Sequence, residues 1–253
     1  MPQTIEAEAD LVTWLRRTFP LFTNNDVAKV LQYYPSSNAS VDPELPLFAT
    51  NGNSGPTALN QSTVGTGQQQ RANNIYAEAT LVCPSYWIAE AYSNNIAGGQ
   101  AYKYQFSVPP ALHAYDVAVY FSEPGTMIYS VDIATAFQKI IGNFVVESNP
   151  SITSQIANGV TTGNMSNSTS PVSSWPPFTV YQPMQVDLNT TCQYSAIASK
   201  PLDGFGLGFF LDHKFCGSAG DRNSFRLVNA YEWEGGRGMR CDFWRAMGEL
   251  VPE

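Results

Sequence analysis

Residues 101–120, AYKYQFSVPPALHAYDVAVY, are the stretch that decides how the fold is interpreted. Aromatic and apolar residues alternate with polar ones over 102–108, which is the periodicity of a β-strand. The alternation stops at Pro109-Pro110, and His113 follows a few residues later. Open α/β sheets collect their sites at the carboxyl ends of their strands. The stretch therefore predicts a strand that ends in a turn and presents His113 as a candidate base.

The composition favours a globular protein that does not bind nucleic acid. A chain of 253 residues with 43% hydrophobic content can bury a core, and neither a linker nor a repeat divides residues 1–253, so we expect one structural unit. Charged residues make up only 13%, and the 13 basic and 21 acidic residues give a net charge of −8. Because no basic cluster exceeds Arg16-Arg17, binding to a phosphate backbone is not expected.

Several features point to a secretory route. Five N-x-S/T sequons make candidate glycosylation sites of Asn38, Asn60, Asn164, Asn167 and Asn189. The chain begins MPQTIEAEADLV, which is acidic and lacks the basic and apolar regions of a signal peptide. Either the protein is cytosolic and the sequons are unused, or it comes from a secreted parent protein whose true N-terminus precedes Met1. We expect the second. No stretch reaches the roughly 18 apolar residues of a membrane span.

The cysteines and histidines do not predict a metal site. The four cysteines, Cys83, Cys192, Cys216 and Cys241, form no C-x-x-C pair, and the only histidines are His113 and His213. One or two disulfides are expected in an oxidising compartment, but the spacing leaves their pairing open. Nothing in the sequence calls for a metal or an organic cofactor.

The remaining periodicities predict more helices than strands. Thr4 is the expected N-cap of a first helix over 4–18, and Thr23 with Asp26 is expected to cap a second that runs to Tyr34. Helical spacing recurs over 75–92, 132–146 and 241–250, and Pro84 is expected to kink the first of these helices or to split it in two. Polar stretches over 35–70 and 148–192 predict long loops. An α/β domain with so little sheet would be incomplete.

Five blocks of the sequence resemble, in order, the C-terminal part of fungal type-B carboxylesterases and lipases, which are secreted α/β-hydrolases. They read IYAEATLVCPSYW, AYKYQFSVPPALHAYDVAVYF, AFQKIIGNFVVESNPS, SSWPPF and NSFRLVNAYEWEGGRGMRCDFW. The resemblance covers most of the chain and weakens at 196–220, where a divergent loop or a gene-model error would explain the difference. It implies an α/β fold: the C-terminal portion of an α/β-hydrolase, helix-rich with few remaining strands, as one partial domain over 1–253.

The resemblance places His113 at the family's catalytic histidine. Its role there would be general base towards a serine hydroxyl and then general acid towards the leaving alkoxide of a carboxylic ester. The family usually has glycine directly after this histidine, where this chain has Ala114. Taken alone, a histidine beside an apolar strand is more often structural than catalytic, and it is the resemblance of the surrounding blocks that favours the catalytic role.

The partners of such a histidine are not found in the sequence. In α/β-hydrolases the serine and the acid precede the histidine, and the serine lies in G-x-S-x-G. The near matches GNSGP (Ser54) and CGSAG (Ser218) are out of register, and Ser218 follows the histidine. Asp116 is too close in sequence to be expected to fold back on the imidazole. The oxyanion-hole donors would also lie elsewhere, so the isolated chain is expected to be inactive.

Two functions follow from these observations. The first is the C-terminal part of a serine esterase that supplies His113, its substrate a carboxylic ester. The second is a secreted, non-catalytic glycoprotein module derived from the same fold, which would act by binding. The oligomeric state is left open by the sequence.

Overall fold

The structure, a computed structural model, describes residues 4–36, 48–49, 65–94, 99–108, 111, 113–121, 130–159, 168–191 and 222–251. It is helix-rich and contains a small mixed sheet of three described strands. The chain divides into two compact units, and whether they together form the one partial domain predicted from the sequence stays a prediction. Within the described ranges, no helix has both the length and the apolarity required to cross a membrane.

The first unit comprises Met1–Ala101, Phe178–Pro183 and Asn229–Glu253. Its described elements are helical, and all but one are α-helices or short 3₁₀ turns. They are α1 (Glu8–Thr18), α2 (Asn24–Tyr33), α3 (Gly67–Ala77), a π-helix (Glu78–Val82), α4 (Cys83–Ser93), α8 (Trp233–Ala246) and a 3₁₀ turn (Gly248–Leu250).

Local hydrogen bonds explain where the first two helices begin. The predicted cap of α2 is confirmed, because the Thr23 hydroxyl accepts from the Asp26 amide and the Asp26 carboxylate accepts from the Thr23 amide. The predicted cap of α1 at Thr4 is wrong. Asp10 instead accepts from the Ala7 amide at 2.9 Å, so that the helix begins at Glu8. The Asp10 carboxylate thus accepts from the Ala7 amide, the group from which a Thr4 cap was expected to accept.

The predicted helix over 75–92 is part of a longer, irregular rod. The rod begins at Gly67, inside the predicted loop, and the five residues Glu78–Val82 form a π-helix. Pro84 lies in the first turn of α4. The N–H groups of the first turn have no acceptor within their own helix, so a proline there costs α4 no hydrogen bond. The proline therefore lies at the boundary between the π-helix, which ends at Val82, and α4, which begins at Cys83.

The core of this unit contains a buried ionic cluster, which we define as Glu78, Arg237, Arg240, Tyr34 and Trp244. Arg240 donates to both carboxylate oxygens of Glu78, at 2.7 and 2.8 Å, and Arg237 donates to one of them at 3.2 Å. The Tyr34 hydroxyl donates to the same carboxylate at 2.6 Å and accepts from the Trp244 indole at 2.7 Å. Each of the five side chains is buried.

Opposing effects set the protonation of this cluster. Burial disfavours the charged form of Glu78, but the two guanidinium groups and the Tyr34 hydroxyl outweigh it and hold the pKa of the carboxyl below its ordinary value. Burial, reinforced by the Glu78 charge, raises the pKa of Tyr34 well above its ordinary value. The cluster therefore contains an ionised Glu78 carboxylate and a neutral Tyr34 at neutral pH.

A disulfide joins Cys83 to Cys241, two residues 158 apart in sequence. Both cysteines are buried in the core of the first unit. Cys83 begins α4, and Cys241 directly follows Arg240 of the ionic cluster. A covalent bond and an ionic cluster thus hold α8 against the same irregular rod.

The second unit comprises Tyr102–Pro177 and Met184–Val228 and contains the sheet. Its described elements are β1 (Tyr104–Phe106), α5 (Tyr115–Phe121), α6 (Val131–Glu147), α7 (Ser154–Asn158), a 3₁₀ turn (Pro171–Ser174), β2 (Met184–Thr190) and β3 (Asn223–Asn229). The order of the described strands is β1-β2-β3. β1 runs parallel to β2, with Gln105 beside Asp187. Asp187 also pairs with Arg226 of β3 at 2.7 Å.

The two faces of this sheet differ in polarity. Tyr104 and Phe106 of β1 share a face with Val186 and Leu188 of β2, and this face belongs to a core formed with α5 and α6. The ring of Phe137 from α6 lies 5.3 Å from that of Tyr104. The opposite face of β2 carries the polar side chains Gln185, Asp187 and Asn189, which are also buried. The strand predicted over 102–108 and the helix over 132–146 are confirmed within a few residues.

The predicted loop over 148–192 is wrong, because it contains α7, a 3₁₀ turn and the central strand β2. Met184, Val186 and Leu188 do alternate with polar residues, so the period of a strand was present in the sequence. The Asn, Ser, Thr and Pro residues that surround this strand are typical of loops, and they led to the prediction of a loop. Because Asp187 is neutralised by Arg226, a strand with an acidic residue at its centre can nevertheless be buried.

Candidate functional site

His113 lies in the short connection between β1 and α5. Val108 on one side and Tyr115 on the other are buried in the core of the second unit. The His113 side chain between them is exposed. Among the described residues, its imidazole makes neither a hydrogen bond nor an ion pair. The backbone is thus anchored at both ends of the turn while the imidazole faces solvent.

The backbone on either side of His113 adopts a conformation that L-residues rarely take. Ala111 has φ of 50° and Ala114 has φ of 65°, both in the left-handed region. The Ala111 amide donates to the Val108 carbonyl at 2.9 Å, which closes a turn immediately after the strand. A left-handed residue directly after the histidine explains physically why glycine would be favoured at this position.

Replacing Ala114 with glycine is expected to stabilise the protein. The left-handed conformation costs an alanine about 1–2 kcal/mol, and the greater freedom of glycine in the unfolded chain offsets roughly half of that. Ala114→Gly should therefore raise the free energy of unfolding by about 0.5–1 kcal/mol, measured by urea denaturation. Ala118→Gly, inside α5, is the matched control and should lower it by about 1 kcal/mol. A destabilising Ala114→Gly would contradict this account.

Among the described residues, Asp116 makes neither a hydrogen bond nor an ion pair with the imidazole. One of its carboxylate oxygens accepts from the Tyr104 hydroxyl at 2.8 Å, and the other accepts from the Val117 amide at 3.0 Å. Burial of Tyr104, with the negative charge of Asp116 beside it, raises the pKa of the tyrosine well above its ordinary value. The hydroxyl therefore keeps its proton and donates. This hydrogen bond joins β1 to the first turn of α5 across the His113 turn.

The other residues named from the sequence as partners lie outside the described residues. This applies to both candidate nucleophiles, Ser54 and Ser218, and to His213. Four of the five candidate glycosylation sites are also outside, namely Asn38, Asn60, Asn164 and Asn167. Asn189 is described, lies in β2 and is only 8% exposed. Attachment of a glycan to the folded chain needs an accessible amide, so burial disfavours Asn189.

Two groups of residues were not singled out from the sequence. One is the Tyr104–Asp116 pair, which could have been suspected only by folding α5 back on β1. The other is the ionic cluster, for which a signal existed: Glu78 falls three residues after Ile75, on the apolar face of the predicted helix. A charge on an apolar helical face indicates a buried partner. Within the described ranges, no three His, Cys, Asp or Glu side chains are grouped to hold a metal ion.

Comparison with known proteins gives no family assignment. The chain matches no protein-family model and no curated protein sequence. The function is therefore argued from the geometry around His113 and from the resemblance described above.

Proposed function

We propose that the chain is the C-terminal part of a secreted carboxylic ester hydrolase of the type-B carboxylesterase/lipase kind, in which His113 acts as the base. The observation that carries the proposal is the exposed imidazole on a turn at the carboxyl end of β1, a strand that runs parallel to its neighbour. Open α/β sheets bind their substrates at the carboxyl ends of parallel strands, and a base exposed to solvent at the end of β1 fits that pattern.

The small sheet supports the same proposal. β1 and β2 are parallel, and β1 is an edge strand of only three residues among the described strands. Parallel strands belong to sheets that are covered on both faces and usually have more strands than this one. In the proposed enzyme, further parallel strands would continue the sheet beyond β1. Those strands would carry the nucleophile and the acid.

The chemistry assigned to His113 is proton transfer in two half-reactions. Neutral imidazole removes the proton of a serine hydroxyl as the oxygen attacks the ester carbonyl, and imidazolium then returns it to the leaving alkoxide. In the second half-reaction the imidazole activates water, and the acyl-serine bond is hydrolysed. With no serine in a G-x-S-x-G motif, the chain alone is expected to leave short-chain p-nitrophenyl esters unhydrolysed.

The experiment that tests the proposal supplies the missing half. The chain is co-expressed or fused with the segment encoded directly upstream of Met1 in genomic DNA, where a G-E-S-x-G motif is expected. Hydrolysis of p-nitrophenyl butyrate should then appear, and His113→Gln should reduce kcat by at least about 10⁴-fold. His213→Gln is the matched control, since it changes the chain's other histidine, and should keep wild-type activity. Activity that survives His113→Gln would refute the proposal.

Secretion is proposed on two grounds. The Cys83–Cys241 disulfide would persist in an oxidising compartment, and the sequons outside the described residues remain candidates for glycans. Expression in a secretory host followed by endoglycosidase treatment should reduce the apparent mass. An unchanged mass, together with a reduced Cys83–Cys241 pair in the native source, would contradict it.

A second candidate function is a non-catalytic binding module. The observation that favours it is that the core of the first unit is stabilised by a disulfide and by the ionic cluster, and that all the residues involved belong to this chain. A module of this kind would melt cooperatively and elute as a defined species. An incomplete hydrolase would expose the edge of β1 and aggregate. Thermal melting combined with size-exclusion chromatography distinguishes the two.

A further inference from the structure

The turn that carries His113 is held in a strained conformation, and strained segments persist only where their surroundings impose the geometry. Ala111 and Ala114, on either side of the histidine, both have positive φ. Left to itself, a turn of this kind would relax towards the usual right-handed or extended regions. Something in the fold must therefore hold it.

Two hydrogen bonds bracket the turn. On the strand side, the Ala111 amide donates to the Val108 carbonyl at 2.9 Å. On the helix side, the Tyr104 hydroxyl donates to Asp116 at 2.8 Å and so ties the first turn of α5 to β1. The Tyr104 ring is itself fixed, because it packs edge-on against Phe137 of α6 with ring centroids 5.3 Å apart. The tyrosine is thus a rigid anchor for the helix that follows His113.

We propose that Tyr104 and Asp116 are positioning residues that fix the turn presenting His113. This proposal rests on the proposed function only for the role of His113 as a base. The hydrogen bond between Tyr104 and Asp116 is present in the folded chain whatever that role is. Asp116 acts through the backbone and not by touching the imidazole. Both of its oxygens are already engaged, one by Tyr104 and one by the Val117 amide.

The first test is made on the isotopically labelled full chain. Tyr104→Phe and Asp116→Ala each remove the bond and should abolish the positive-φ signature of Ala114, read from its amide–α-proton coupling and carbon shifts. Amide exchange at Ala111 should accelerate by about tenfold or more, because the bond from its amide to the Val108 carbonyl closes the same turn and would open more often. Asp116→Asn should retain both signals, since its amide oxygen still accepts from Tyr104 and the Val117 amide, whose bond to Asp116 is exposed, can donate to water instead.

The matched control is Tyr120→Phe. Tyr120 lies in α5, and its ring packs on the same Phe137 ring at 5.5 Å, so that loss of its hydroxyl reports any general effect of removing a tyrosine hydroxyl from this core. This variant should leave the turn unchanged. A positive φ at Ala114 that persists in Tyr104→Phe and Asp116→Ala overturns the proposal. Loss of the signature in Asp116→Asn as well overturns the hydrogen bond as its cause.

The second test uses the chain complemented with the upstream segment. If the turn positions the base, Tyr104→Phe should lower kcat by about 10- to 100-fold with KM unchanged, the scale expected for a misplaced catalytic group. Activity that depends on His113 but is unaffected by Tyr104→Phe overturns the positioning role. A third outcome separates the two proposals. If Tyr104→Phe changes the coupling at Ala114 but the complemented chain shows no activity that depends on His113, the positioning role is supported and the proposed function is refuted.

Discussion

Replacing Glu78 with glutamine is expected to lower the free energy of unfolding of the first unit by about 3–5 kcal/mol, the range found when one partner of a buried ion pair is removed. Glu78 accepts from Arg240, Arg237 and Tyr34, and its side chain is 2% exposed. Glutamine has nearly the same shape but no charge, so that Arg240 would be left buried beside a neutral group. Urea denaturation followed by tryptophan fluorescence measures the loss, because Trp244 belongs to the cluster.

Glu90→Gln is the matched control for that substitution. Glu90 pairs with Arg245, whose side chain is 48% exposed, and pairs of this kind contribute at most about 1 kcal/mol. The pH dependence gives a second check. Since the folded-state pKa of Glu78 is lowered from 4.5, its contribution is present above about pH 4.5 and is lost as the pH falls through the folded value. The difference between wild type and Glu78→Gln should therefore shrink in acid. Equal losses for Glu78→Gln and Glu90→Gln would contradict the assignment.

Reduction of the Cys83–Cys241 disulfide is expected to have an effect of similar size. Closing a loop between residues 158 apart restricts the unfolded chain by about 5 kcal/mol in the loop-entropy model, and measured losses for native disulfides are typically about 2–5 kcal/mol. Dithiothreitol should therefore shift the urea midpoint of the first unit strongly downwards. The free energies of the oxidised and reduced protein, measured in the same buffer, give the contribution directly.

The experiment is best made in a background with Cys192 and Cys216 replaced by serine, so that reduction affects a single bond. Peptide mapping before reduction should recover one cross-linked pair that contains Cys83 and Cys241. Cys83→Ala/Cys241→Ala is the matched control, because a chain that lacks the bond should not respond to dithiothreitol. An unfolding midpoint that is the same with and without reductant in the serine background would show that the bond is either absent or without effect on stability.

Elements with a single dominant pattern were predictable from the sequence. The alternation at 102–108 identified β1, the apolar spacing over 132–146 identified α6, and the Thr23–Asp26 pair identified the start of α2. Each of these signals is local, since it depends on neighbours within one or two turns of the chain. Elements stabilised by distant partners were missed. β2 contains a buried aspartate, Asp187, which pairs with Arg226 of another strand.

The candidate site divides in the same way. The sequence was sufficient to name His113 and to note that Ala114 replaces an expected glycine. The conformation that makes glycine favourable there, φ of 65°, is a property of the folded turn. The sequence spacing predicts that Asp116 does not fold back on the imidazole, but it does not identify the partner of this carboxylate, which is Tyr104. Its partner lies twelve positions earlier in the sequence, because the turn between β1 and α5 brings the first turn of the helix beside Tyr104.

Sequence alone determined the strand that leads to His113, the helices with strong periodicity and the absence of a G-x-S-x-G motif. Tertiary structure alone decided that Cys83 pairs with Cys241, that Glu78 is enclosed by two arginines, and that the Tyr104 hydroxyl donates to Asp116. The physical reason is the separation along the sequence of the residues that interact. Helix and strand periodicities are read from neighbouring residues, whereas disulfides, buried ion pairs and side-chain hydrogen bonds join residues that only the folded chain brings together.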